Sequence, residues 1–74
     1  MKKTEIKIST EFIKLDQLLK FSGIAESGSM AKEMIFDGIV SVNGETCLMR
    51  GKKIYSGDVV TVDLGGDSAE MTVI

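Results

Sequence analysis

The apolar positions of this chain change period as the sequence advances. Ile6 and Ile8 alternate with Lys7 and Ser9, the pattern of a short strand with one wet face. A second extended piece runs through Phe12 and Ile13. The spacing then switches, with Leu15, Leu18 and Leu19 falling at i, i+3 and i+4. That is the stripe of a short helix, starting at Leu15 or Asp16, closing at Gly23 and leaving Gln17 and Lys20 outward. Phe12 and Phe21 are expected to join the core.

Ser27-Gly28-Ser29 is expected to open a second helix, because a serine oxygen can accept from an unpaired N–H of the first turn. Ala31, Met34 and Ile35 form its inward stripe, and Gly38 is a natural stop. Lys32 sits three residues after Ser29, so no reciprocal capping box forms. Beyond Gly38 the whole segment reads as antiparallel sheet. Val40 and Val42 flank Ser41, and Asn43-Gly44 is a hairpin dipeptide, since both residues tolerate positive φ. Ile54-Tyr55 leads into a turn at Ser56-Gly57-Asp58. Val59 to Leu64 is a strand, Gly65 to Ser68 a loop and Met71 to Ile74 a last strand. The expected class is α+β: two short helices packed on a small, mostly antiparallel sheet.

Composition narrows the functions. A chain of 74 residues has room for one domain, here residues 1–74. Its 43% apolar content suits a globular fold. No apolar run approaches the roughly 20 residues that cross a bilayer, and the MKKTEIKIST start carries no apolar signal region. A cytoplasmic protein without a membrane partner is expected. Cys47 is the only cysteine and there is no histidine, so no internal disulfide, Cys-His nucleophile or ordinary zinc site is expected. Cys47 reads as a buried structural thiol. No carboxylate pair is singled out by spacing, so neither an enzyme nor a cofactor is indicated.

The net charge of −2 disfavours a nucleic-acid partner until its distribution is considered. Three cations, Arg50, Lys52 and Lys53, crowd four positions around Gly51. Asp58, Asp63, Asp67 and Glu70 follow with no basic residue after Gly57. A basic face can therefore coexist with an acidic one.

The candidate chemistry is anion binding. A helix opening near Ser27 presents unpaired N–H groups and the positive end of its dipole. Gly28 allows close approach of another chain, Ser27 and Ser29 can donate hydroxyl protons, and Lys32 adds charge one turn in. Arg50, Lys52 and Lys53 suggest a loop presenting charge from a base held by Met49 and Ile54, and Lys14 is anchored beside Leu15. Taken singly, these features read first as an ordinary serine-capped helix and a solvated charged loop.

Together they resemble a known family. Lys14-Leu15-Asp16-Gln17-Leu18-Leu19, Ser27, Ala31-Lys32, Met34-Ile35, Gly38, Val40-Ser41-Val42-Asn43-Gly44 and Gly57-Asp58-Val59-Val60 look like the RNA-binding domain of the ribosomal protein S4 type, the alpha-L motif. Ser27 to Lys32 and Arg50 to Asp58 look closest to its stand-alone bacterial, YaaA-like group. The resemblance implies an alpha-L (S4-like) fold and binding without catalysis. It implies structured RNA as partner, ribosomal RNA or a ribosomal particle, gripped by Lys14, Ser27, Gly28, Ser29, Lys32, Arg50, Lys52 and Lys53. Gly28 stands where many relatives carry arginine, so one implied phosphate contact is absent. A monomer is the simplest expectation. With Phe12 and Phe21 placed in the core, recognition would rest on shape and charge rather than base stacking. The alternative is a protein-interaction module that keeps the scaffold and uses its acidic C-terminal hairpin.

Overall fold

The structure is a computed structural model that describes residues 2–74. In chain order it comprises β1 (Lys2–Ile6), β2 (Phe12–Lys14), α1 (Leu15–Phe21), α2 (Gly28–Phe36), β3 (Val40–Val42), β4 (Glu45–Thr46), β5 (Lys53–Tyr55), β6 (Val59–Asp63) and β7 (Ser68–Val73). Strands β1-β7-β6-β3-β4 form one sheet in that order, while β2 and β5 form a separate antiparallel ribbon. The expected class holds: two helices on a mixed, mostly antiparallel sheet.

Helix α1 forms where the leucine stripe predicts it. Leu15, Leu18 and Leu19 are fully buried, each contributing about 1.5–3 kcal/mol by leaving water. The chain leaves the helix through Ser22 and through Gly23 at φ +85°, a left-handed turn that suits glycine. Phe21 departs from expectation, with 70% of its surface exposed. The inward stripe continues from 15, 18 and 19 to 22, and half-buried Ser22 takes that place. Phe12 is half-buried on β2.

Helix α2 is capped as its serine predicts. The Ser27 Oγ accepts from the Met30 N–H at 3.2 Å, and the Ala31 N–H donates to the Ser27 carbonyl at 3.0 Å. Ala31, Met34 and Ile35 are buried against the core, and Gly38 at φ +79° ends the helix.

The core lies between the helices and one sheet face. Val40, Val60, Val62, Met71 and Val73 point inward and are fully buried, with half-buried residues alternating along β6 and β7. Strand β1 pairs parallel to β7, with Ile6 opposite Val73. That pairing direction is invisible to periodicity, which reports side-chain alternation and says nothing of the partner strand. The regular part of β1 ends at Ile6, although the Ile8 N–H still reaches the Ile74 carbonyl at 3.2 Å.

Two turns lock each other. Asn43 (φ +51°) and Gly44 (φ +87°) make the tight β3–β4 connection. The Asn43 Nδ2 donates to Asp58 Oδ1 at 3.1 Å, and its Oδ1 accepts from the Val59 N–H at 2.9 Å. Asp58 Oδ2 accepts from the Tyr55 N–H at 2.8 Å. The Asn-Gly and Gly-Asp pairs of the sequence are thus halves of one structural clamp.

The expectation that everything after Gly38 is one antiparallel sheet needs correction. After β4 the chain leaves the sheet, and β5 joins β2 instead. Ile54 is the buried residue of β5, and it pairs with Ile13 of β2 across the ribbon. Cys47, just past β4, is buried and free, its Sγ 3.7 Å from the Met49 carbonyl.

Candidate nucleic-acid interface

The β2–β5 ribbon builds the basic site. Its register sets Phe12 opposite Tyr55, Ile13 opposite Ile54 and Lys14 opposite Lys53. Strand alternation turns the buried Ile54 inward and leaves its neighbours Lys53 and Tyr55 exposed. Like charges directly opposite on an antiparallel pair repel, so the ribbon holds Lys14 and Lys53 together at a local cost that a bound anion would relieve. The Lys53 Nζ lies 4.9 Å from the centroid of the Phe12 ring, which in turn lies 6.0 Å from the Tyr55 ring. These contacts orient the lysine without neutralising it.

The adjoining turn is tied to the start of α1. The Leu15 N–H donates to the Lys52 carbonyl at 2.9 Å, and the Asp16 N–H to the Arg50 carbonyl at 3.1 Å. Asp16 Oδ1 accepts from the Gln17 N–H at 2.8 Å. The first N–H groups of α1 are therefore satisfied inside the protein, and the basic turn is held by the contacts that satisfy them. Asp16 is the one buried charged side chain among the described residues. Its Oδ2 stands 3.6 Å from Arg50 Nη1. Arg50 is thus partly committed to Asp16. No ion pair engages Lys14, Lys52 or Lys53 among the described residues.

Ser27, Gly28, Ser29 and Lys32 form a second group at the start of α2, which packs against α1. The Ser27 oxygen already caps the helix, while the Gly28 and Ser29 N–H groups precede the first intrahelical bond. Lys32 is exposed and lies over Phe36, 5.7 Å from the ring centroid. No hydrogen bond, ion pair or ring contact joins this group to the ribbon among the described residues. The ribbon register and the Leu15 and Asp16 backbone bonds bring Lys14, Arg50, Lys52 and Lys53 together, while the α2 group sits on a different element.

The acidic hairpin is occupied with itself. Asp63 Oδ1 accepts from the Gly65 N–H at 3.0 Å, and Glu70 lies 3.8 Å from Lys3. Asp67 Oδ1 accepts from the Ser68 N–H at 2.8 Å, which holds its carboxyl below the usual carboxylate range. The Asp63 and Asp67 carboxylates stabilise the turn they sit in, while Glu70 on β7 reaches across to Lys3 on β1. The residues that the sequence pattern missed lie elsewhere: Phe21 is exposed, with Lys7 and Lys20 on the same side of the molecule. Extending the leucine stripe to Ser22 would have placed Phe21 outside.

The arrangement of helices and sheet has known counterparts. The family model described as the S4 domain matches residues 6–71, nearly the whole chain. The chain belongs to the S4-domain family. This S4 domain is 45% identical over 58 residues to the Bacillus subtilis (strain 168) protein named "Probable ribosome maturation protein RlbA", spanning 78% of this chain and 82% of that one. Its fold matches the trimeric structure of Vibrio cholerae Heat Shock Protein 15 with a TM-score of 0.71 and 27% identity, over 81% of this chain. The chain spans 60% of the length of that solved chain.

Proposed function

We propose that this S4 domain is a non-catalytic module that grips structured RNA, with ribosomal RNA or a ribosomal particle as the target, through phosphate contacts from its basic face. The carrying observation is the ribbon register that sets Lys14 opposite Lys53, beside Lys52 and Arg50, with no carboxylate paired to the lysines among the described residues. Ser27, Gly28, Ser29 and Lys32 supply a second contact at the α2 start, where N–H groups and the helix dipole favour an anion. Similarity to a ribosome maturation protein supports the ribosomal target. The module works as a monomer in the cytoplasm.

The test is a salt titration of binding to purified ribosomal subunits and to structured RNA fragments. If about four phosphates are engaged, log K falls against log salt with a slope of about −3 to −4. Lys52→Glu/Lys53→Glu removes two contacts, so binding weakens and the slope flattens by about 2. A slope near zero overturns the mechanism. Absence of binding at low salt by folded protein would point to a protein partner instead, with charge reversal at Asp63 and Asp67 the more damaging change.

A further inference from the structure

The exposed ring of Phe21 stands between two hollows. One, of about 210 Å³, is lined by Lys7, Ile8, Thr10, Ile13, Gln17 and Phe21 among others. The second shares Gln17 and Phe21 and adds Lys20. Ile8 and Ile13 pack onto the core and give the first hollow an apolar floor. Gln17 offers an amide donor and acceptor, and Thr10, whose hydroxyl donates to the Phe12 carbonyl at 2.8 Å, keeps lone pairs free to accept. The charged side chains on both hollows are lysines, and no carboxylate lines either.

We propose that this hollow takes an unpaired nucleobase of RNA. Phe21 is the stacking face, Gln17 and Thr10 meet the polar edge of the base, and Lys7 and Lys20 hold the adjoining phosphates. An exposed aromatic ring with lysines on either side and a mixed polar and apolar floor is what an unstacked base needs. Position supports the same occupant. Phe21 ends α1, whose first residue is bonded to the basic turn through the Lys52 carbonyl. The two ends of this helix are separated by about 9 Å of axial rise, so one strand can reach both sites. The inference rests on the RNA-binding reading and adds a base-stacking contact to recognition by shape and charge.

The experiment compares two fluorescein-labelled RNA hairpins, one fully paired and one carrying a single bulged adenine, by anisotropy at low salt. Wild type, Phe21→Ala, Phe21→Trp and Lys52→Glu/Lys53→Glu are measured, each checked for folding by circular dichroism. Phe21→Ala should lose about 5- to 140-fold in affinity for the bulged hairpin, the range one base–aromatic stack carries. It should bind the paired hairpin like wild type, and Phe21→Trp should keep the preference for the bulge. Equal binding of the bulged hairpin by wild type and Phe21→Ala, with Lys52→Glu/Lys53→Glu still impaired, overturns the base site and leaves the RNA-binding reading standing. Failure of wild type to bind either hairpin overturns both. Weakened binding of Phe21→Ala to ribosomal particles, with binding to both hairpins unchanged, also overturns the base site and assigns the hollow to a protein surface.

Discussion

Asp16 joins the first turn of α1 to the basic turn, and removing its carboxylate tests how that site is held. In Asp16→Ala the Gln17 N–H loses its acceptor at 2.8 Å, worth about 0.5–1.5 kcal/mol. The positive end of α1 loses a neighbouring anion, worth about 0.3–1 kcal/mol. The contact to Arg50 at 3.6 Å, with the arginine side chain 57% exposed, adds about 0–1 kcal/mol because water screens it. The expected loss is about 1–3 kcal/mol. With a urea m-value of about 1 kcal/mol/M for so small a domain, the midpoint should fall by about 1–3 M at unchanged m. The assay is urea unfolding followed by circular dichroism at 25 °C. Arg50→Ala should lower the midpoint by less than about 1 M, since it removes only the screened ion pair. Asp16→Asn, which keeps an acceptor and loses the charge, should fall between. An Asp16→Ala midpoint within about 0.5 M of wild type, or an Arg50→Ala effect as large, refutes the view that Asp16 acts chiefly on the helix start.

Two further outcomes follow from the same geometry. Asn43→Ala removes both side-chain bonds of the turn clamp and puts alanine at φ +51°, so thermal or urea unfolding should show a loss of about 2–5 kcal/mol. Gly28→Arg adds a cation at a position where a Cβ meets open space. RNA affinity should rise, and the log K against log salt slope should steepen by about 1.

The leucine stripe, the serine cap, the glycine stops and the Asn-Gly turn were all legible in the sequence, because each depends on residues within a turn or two of one another. α1, α2 and the β3–β4 hairpin accordingly form where those signals fall, and the S4 resemblance rests on the same spacings. The cations of the candidate site were legible as a list, Lys14 on one side and Arg50, Lys52 and Lys53 on the other. Their assembly was not. Only the pairing of β2 with β5 sets Lys14 opposite Lys53, and only the fold brings Asp16 to Arg50 across thirty-four positions of chain. The parallel pairing of β1 with β7 and the exposure of Phe21 were decided in the same way. Local pattern says which face of an element is apolar. Which surface that face meets, and which charges come to rest beside each other, depends on contacts distant in sequence that only the folded chain makes.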